Sequence, residues 1–139
     1  MSTKKEKLAA TIDQWRGRAF DPHYVGYFEC FNRGQYYEAH DVLEQLWLQD
    51  RHGAEGSFYK GLIQLAGAFV HLQKGRLRPA AALFKLAEAN FRKYPARHRH
   101  IDLGGVIQMI DDWLKKLEAS GFKSNPLASV NTPKIQPPA

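Results

Sequence analysis

The chain has 139 residues, 44% of them hydrophobic and 24% charged, which describes a single globular domain and excludes wholesale disorder. A chain of this length buries roughly 70% of its unfolded surface, so it needs neither disulfide nor metal to fold. Its single cysteine, Cys30, excludes an intramolecular disulfide and a zinc ribbon.

The first twenty residues read as an N-terminal extension. Leu8, Ile12 and Trp15 fit one face of a short helix that Gly17 would stop. Asp21-Pro22 starts a clearer helix: Asp accepts hydrogen bonds from free amides and Pro is tolerated at the first helical position. Tyr24, Tyr27, Phe28 and Phe31 recur at helical spacing along it, and Gly34 ends it. A second helix is expected over residues 36–48, with Tyr36, Ala39, Val42, Leu43, Leu46 and Trp47 on its apolar side. Residues 49–54 are polar and read as a loop. A third helix over 56–73 is apolar on nearly every side, which places it in the middle of a bundle. Gly75 closes it, and Pro79 opens a fourth helix that runs to about Lys93, before Tyr94-Pro95. Asp102 caps a fifth helix over 103–119, with Gly121 as its stop. From Ser124 onward the chain holds four prolines and no periodicity, so residues 122–139 read as a tail, mobile or laid along the surface. No segment reads as a strand. The expected fold is therefore all-α, about five helices, with one domain over 21–121.

Gly34 and Gly75 lie 41 residues apart, each joins two helices, and Ala39 matches Ala80 five residues later. The pattern is that of weakly tetratricopeptide-like hairpins stacked on one another, with the fifth helix packed against them. Carrying this register forward pairs His40 with Ala81, Glu44 with Lys85 and Trp47 with Glu88. A hairpin that can be built with Ala81 and Lys85 does not require His40 and Glu44, which frees those polar groups for another task.

Residues four apart on a helix are neighbours, so His40 and Glu44 can touch, and Trp47 lies on the same side. Glu38 is displaced around the helix. On the third helix, Lys60, Gln64, Gly67 and His71 follow at spacings of four, three and four and form one stripe. Leaving Gln64 and His71 buried and unpaired would cost roughly 1–3 kcal/mol each. Their nearest polar candidates are His40 and Glu44 across a short loop, and Gly67 would let a ligand or backbone approach.

Here the chain resembles the domain-of-unknown-function family numbered 309, small helical bacterial and archaeal proteins. The hallmark His-x-x-x-Glu-x-x-Trp is met by His40, Glu44 and Trp47. Phe31-Asn32-x-Gly34-x-Tyr36-Tyr37-Glu38-Ala39 precedes it, and Gly61-Leu62-Ile63-Gln64-Leu65-Ala66 with His71 follows. The resemblance covers about residues 24–94. It implies an all-helical fold and no assigned activity, with an enzymatic role raised for the polar hallmark.

The expected site lies between the second and third helices. His40 would be the acid/base or ligand-contacting group, Glu44 its orienting partner, and Gln64 and His71 the opposite wall. Trp47 would be an apolar wall, Lys60 would hold an anion, and Glu38 would cap, pair or line the site. Hydrolysis or proton transfer is the chemistry these groups allow. The structural alternative is a buried His40–Glu44 pair that locks two helices. His40, Glu44 and His71 are enough for a metal with an open position, but the tight His-Glu-x-x-His spacing is absent, as is the paired Glu-x-x-His of di-iron bundles, so no metal is assigned. No cofactor is named by the residues. Cys30 reads as core, and His98 and His100 as a solvated loop.

The net charge of +6 is uneven: residues 24–73 carry −3 and residues 74–100 carry +7. The basic segment can attract phosphate backbones, but it reads better as a solvated helix face, and no nucleic-acid-binding signature accompanies it. Nucleic acid is thus permitted rather than favoured. The other alternative is a non-enzymatic interaction module that meets a protein partner. No membrane partner is expected: the longest mostly apolar stretch, 62–72, is broken by Gln64 and His71 and is too short to span a bilayer. The start MSTKKEKLAA has charge but no apolar run behind it, so a cytoplasmic location is expected.

Overall fold

A computed structural model describes residues 3–128 and 131–139. It contains α1 (Lys4–Ile12), a short 3-10 turn (Asp13–Trp15), α2 (Pro22–Asn32), α3 (Tyr36–Asp50), α4 (Gly56–Gln73), α5 (Leu77–Phe91), β1 (Arg97–His98), β2 (Ile101–Asp102) and α6 (Leu103–Ala119). The fold is all-helical apart from one two-residue hairpin. No described helix is long and apolar enough to cross a membrane.

The helix starts follow local chemistry. Thr3 and Glu6 form a reciprocal capping box that satisfies free amides at the head of α1. Asp21 accepts from the His23 amide at 2.8 Å, with Pro22 as the first residue of α2. Asp102 accepts from the Gly105 amide at 2.9 Å and starts α6. The expected start of α5 at Pro79 is corrected to Leu77. Proline there occupies the third position, where a missing amide still has no intrahelical acceptor to lose.

The two glycine turns share one geometry. Gly34 and Gly75 have φ of +76° and +72°. In each, the amide after the glycine reaches back to a carbonyl five residues earlier: Gln35 to Cys30 and Arg76 to His71, both at 2.9 Å. Ala39 and Ala80 are fully buried five residues on, where each hairpin closes. Gln73 then donates to the Gly34 carbonyl at 3.0 Å and ties the two turns together. The weak repeat in the sequence is therefore a repeat in three dimensions.

α4 packs on both α3 and α5, α2 lies on α3, and α6 lies on α5. Phe69, in the middle of α4, meets rings from four other helices: Phe31 at 5.5 Å, Tyr36 at 5.0 Å, Phe84 at 5.2 Å and Trp113 at 5.0 Å. The central placement expected for this helix is what its all-round apolar surface requires.

One segment differs from the expectations, and the segments before α2 and after α6 both pack onto the helices. The N-terminal residues form α1 and the turn after it, and they insert Ile12 and Trp15 into the core. The Trp15 indole lies so close to α2 that a β-carbon on Gly26 would come within 2.6 Å of it, and its Nε1 donates to Glu29 at 2.5 Å. Residues 97–102, expected to contain no strand, form the antiparallel β1–β2 pair. Arg99 and His100 take positive φ there (48° and 66°), as a two-residue hairpin turn demands. Tyr24 Oη holds that turn by donating to the Arg99 carbonyl at 2.7 Å. The tail is laid along the surface: Asn32 bonds both the amide and the carbonyl of Ile135, at 2.7 and 2.8 Å, and Ile135 is buried. Ser129 and Val130 of that tail lie outside the described residues.

Candidate functional site

A cavity of about 310 Å³ lies along the polar stripe of α4. Lys60, Gln64, Gly67 and His71 line it from α4, and Tyr37 and His40 face them from α3. Ile63, Val70 and Leu83 supply its apolar surface. Its size falls at the lower end of small-molecule sites.

His40 sits at the edge of this cavity with its side chain 33% exposed, and Glu44 is 45% exposed. The nearest atoms, Nε2 and Oε2, are 3.7 Å apart, and the other ring nitrogen lies 3.3 Å from Asp41 Oδ1. The Tyr37 ring runs nearly parallel to the imidazole, 6.3 Å away. The alternative of a buried pair locking two helices is thereby corrected. Both groups meet water, and a pair this exposed contributes about 0–1 kcal/mol.

On the α4 side, the expected partners of Gln64 and His71 are also corrected. Gln64 Oε1 accepts from Asn90 of α5 at 2.7 Å rather than meeting His40 or Glu44. His71 Nδ1 is buried and has no hydrogen-bond partner. Burial, and then the charges of Arg76 and Lys74, hold the His71 imidazole below its ordinary value of 6.5, so it is neutral at pH 7. A histidine with a depressed folded pKa supports the fold above the unfolded value and loses that support as the unfolded chain takes up protons first. Urea unfolding midpoints should therefore fall between about pH 7.5 and about pH 5.5, and His71→Gln should show a shallower fall than the wild type. Equal slopes would mean that His71 titrates alike in both states.

Trp47 is half-buried, and the Lys60 ammonium lies over its ring at 4.4 Å. Glu38 does not join the site. It faces a separate groove with Lys7, Leu8, Thr11, Asp41 and Val42, because residues two apart on a helix point to different sides. Sequence reasoning missed Tyr37, Leu83, Asn90 and Asp41. Tyr37 was accessible in principle, lying three residues before His40; the others depend on side-chain rotamers or on how α5 rolls against α4.

His40, Asp41 and Glu44 can each offer one donor atom, all within 4.8 Å of one another, and are the residues that could hold a divalent cation. Among the described residues His71 does not join that group. Cys30 is buried, and burial pushes its thiol up to about 11, the state of a core residue rather than a nucleophile.

His98 is not the solvated loop residue expected. Its Nε2 lies 2.7 Å from Glu55, and its ring packs on Phe58 and Tyr94 at 4.9 and 4.6 Å. His100 is exposed and lies against Phe20. Several cations of the basic segment have protein partners: Arg92 on Glu88, Lys85 near Glu118, Arg78 over Phe122, and Arg99 over Tyr24 and Tyr59.

These features define an all-helical protein with a polar-lined cavity between stacked hairpins. Residues 24–92 match the family described as a domain of unknown function (DUF309). An uncharacterized protein of Aquifex aeolicus (strain VF5) is 29% identical over 85 residues, covering 61% of this chain and 26% of the relative. The uncharacterized protein YpuF of Bacillus subtilis (strain 168) is 28% identical over 108 residues, covering 73% of this chain and 60% of the relative. The chain thus spans less than two thirds of either relative's length. No solved structure matches it.

Proposed function

We propose that the protein binds a small molecule in the cavity between α3 and α4. His40 is the acid/base or ligand-contacting group at its edge, and Glu44 orients it. Gln64 and His71 form the facing wall, and Trp47 positions Lys60. The observation that carries this reading is the convergence of His40 and three polar residues of α4 on one cavity, one of which, His71, has a buried ring nitrogen with no hydrogen-bond partner. Buried polar atoms are almost always satisfied, so an orphan on a residue that lines a cavity suits a site that a ligand completes. Hydrolysis or proton transfer is the chemistry such a set allows. A single buried cysteine, with no disulfide framework in the chain, suits a reducing cytoplasmic setting.

Native mass spectrometry of the purified protein, combined with elemental analysis, tests this directly. The wild type should retain a small molecule that His40→Ala loses, by at least about ten-fold in occupancy. The variant should keep its helical circular dichroism and unfold within about 1 kcal/mol of the wild type, because the His40–Glu44 pair is exposed. A variant that unfolds would make His40 structural, and one that retains the same ligand would remove it from the site.

The stacked hairpins favour a second reading, an interaction module of tetratricopeptide-like type, and the exposed Tyr37, Leu48 and Leu86 are its available apolar contacts. It predicts a retained protein rather than a retained small molecule in the same spectrum.

A further inference from the structure

The chemistry of the cavity lining narrows the class of ligand, on the reading that the cavity is a binding site. Among the described residues, no aspartate or glutamate lines it, and Lys60 is the only lining group with a fixed charge. The Lys60 ammonium rests over Trp47 and, among the described residues, pairs with no carboxylate. A cation left over an aromatic face keeps ammonium protons available to an incoming acceptor. The far end, at His71, is also electropositive, since Lys74 and Arg76 both act on that imidazole. Two acids of α3 stand beside His40, Asp41 at 3.3 Å and Glu44 at 3.7 Å, and neither is part of the lining.

Between the two ends the surface is apolar. Ile63, Val70 and Leu83 contribute hydrocarbon. Gly67 lets Leu83 of α5 pack close against α4: an added β-carbon would come 3.1 Å from Leu83 Cδ1. The volume of about 310 Å³ equals that of about ten waters, enough for a charged head and one small ring or short chain.

We infer that the cavity takes a small amphipathic anion, a carboxylate or phosphate monoester, whose anionic oxygens sit on Lys60 and whose apolar body lies against Ile63, Val70 and Leu83. The shared chemistry is an anionic oxygen head on a hydrocarbon body of modest size.

The test uses the full chain, isotopically labelled for NMR, titrated with benzoate, phenyl phosphate and the neutral benzyl alcohol. Both anions should perturb the amides of residues 60–71 and bind at least about ten-fold more tightly than benzyl alcohol. The tighter of the two identifies the head group as carboxylate or phosphate. Lys60→Met should abolish the advantage of the anions and leave benzyl alcohol binding unchanged, and Lys60→Gln should do the same if methionine disturbs the fold. Benzyl alcohol binding as tightly as the anions would overturn the ligand class while leaving the cavity as a site. Anions that bind elsewhere, or that are indifferent to both Lys60 variants, would overturn it as well. If none of the three probes perturbs His40, Lys60, Gln64 or His71, the cavity reading falls together with the ligand class.

Discussion

Phe69→Ala is expected to lower the unfolding free energy by about 3–5 kcal/mol, the range for removing a fully buried aromatic ring. The side chain is 0% exposed and touches rings from α2, α3, α5 and α6. The four rings come from both hairpins and the last helix, so none can collapse into the vacancy without leaving another contact. Most of the transfer and cavity costs should therefore remain. Urea unfolding followed by circular dichroism reads the loss. A cost below about 2 kcal/mol would mean that the helices repack around the gap and that α4 is not the element the others are built upon.

Trp15→Ala should cost a similar amount, about 3–5 kcal/mol, although it lies in the segment that reads as an extension in the sequence. The indole is 1% exposed and packs on Gly26 of α2. Its Nε1 also donates to Glu29, which Arg18 holds at 2.6 Å. Burial alone would raise the Glu29 carboxyl, but the bond from Trp15, together with Arg18 and Arg33, outweighs it and keeps the group below its ordinary value. Trp15→Phe separates the two contributions: it keeps most of the packing and loses only the hydrogen bond, so its cost should be the smaller. If Trp15→Ala shifts the urea midpoint hardly at all, residues 1–20 are a detachable extension; a full loss makes them part of the domain.

Legibility followed the range of the forces involved. Helices bounded by glycine were readable because the punctuation is local: Gly34 and Gly75 close α2 and α4 where the sequence places them. The stripe Lys60, Gln64, Gly67, His71 was readable because helical spacing alone puts those residues on one side, and the structure gathers all four around one cavity with His40. The β1–β2 hairpin was not. Its turn is Arg99-His100, with none of the glycine or asparagine that announces positive φ, and it is held by a distant hydroxyl, that of Tyr24. The partner of Gln64 was not readable either, because Asn90 reaches it only through the roll of α5 on α4. Asp41 escaped for a different reason: adjacent residues on a helix do not share a face, and only its rotamer brings the carboxylate over the neighbouring imidazole.

The bond from Gln73 to the Gly34 carbonyl pins α3 to α4 at the end where α3 begins and α4 finishes. The opposite end carries Trp47 and Lys60, whose contact bridges the two helices beside the loop that follows Asp50. The cavity therefore runs between two ties of different kinds, a backbone-anchored amide at the glycine turns and a cation on an aromatic face at the other end, so an anion drawn to that ammonium would compete with one tie and leave the other in place.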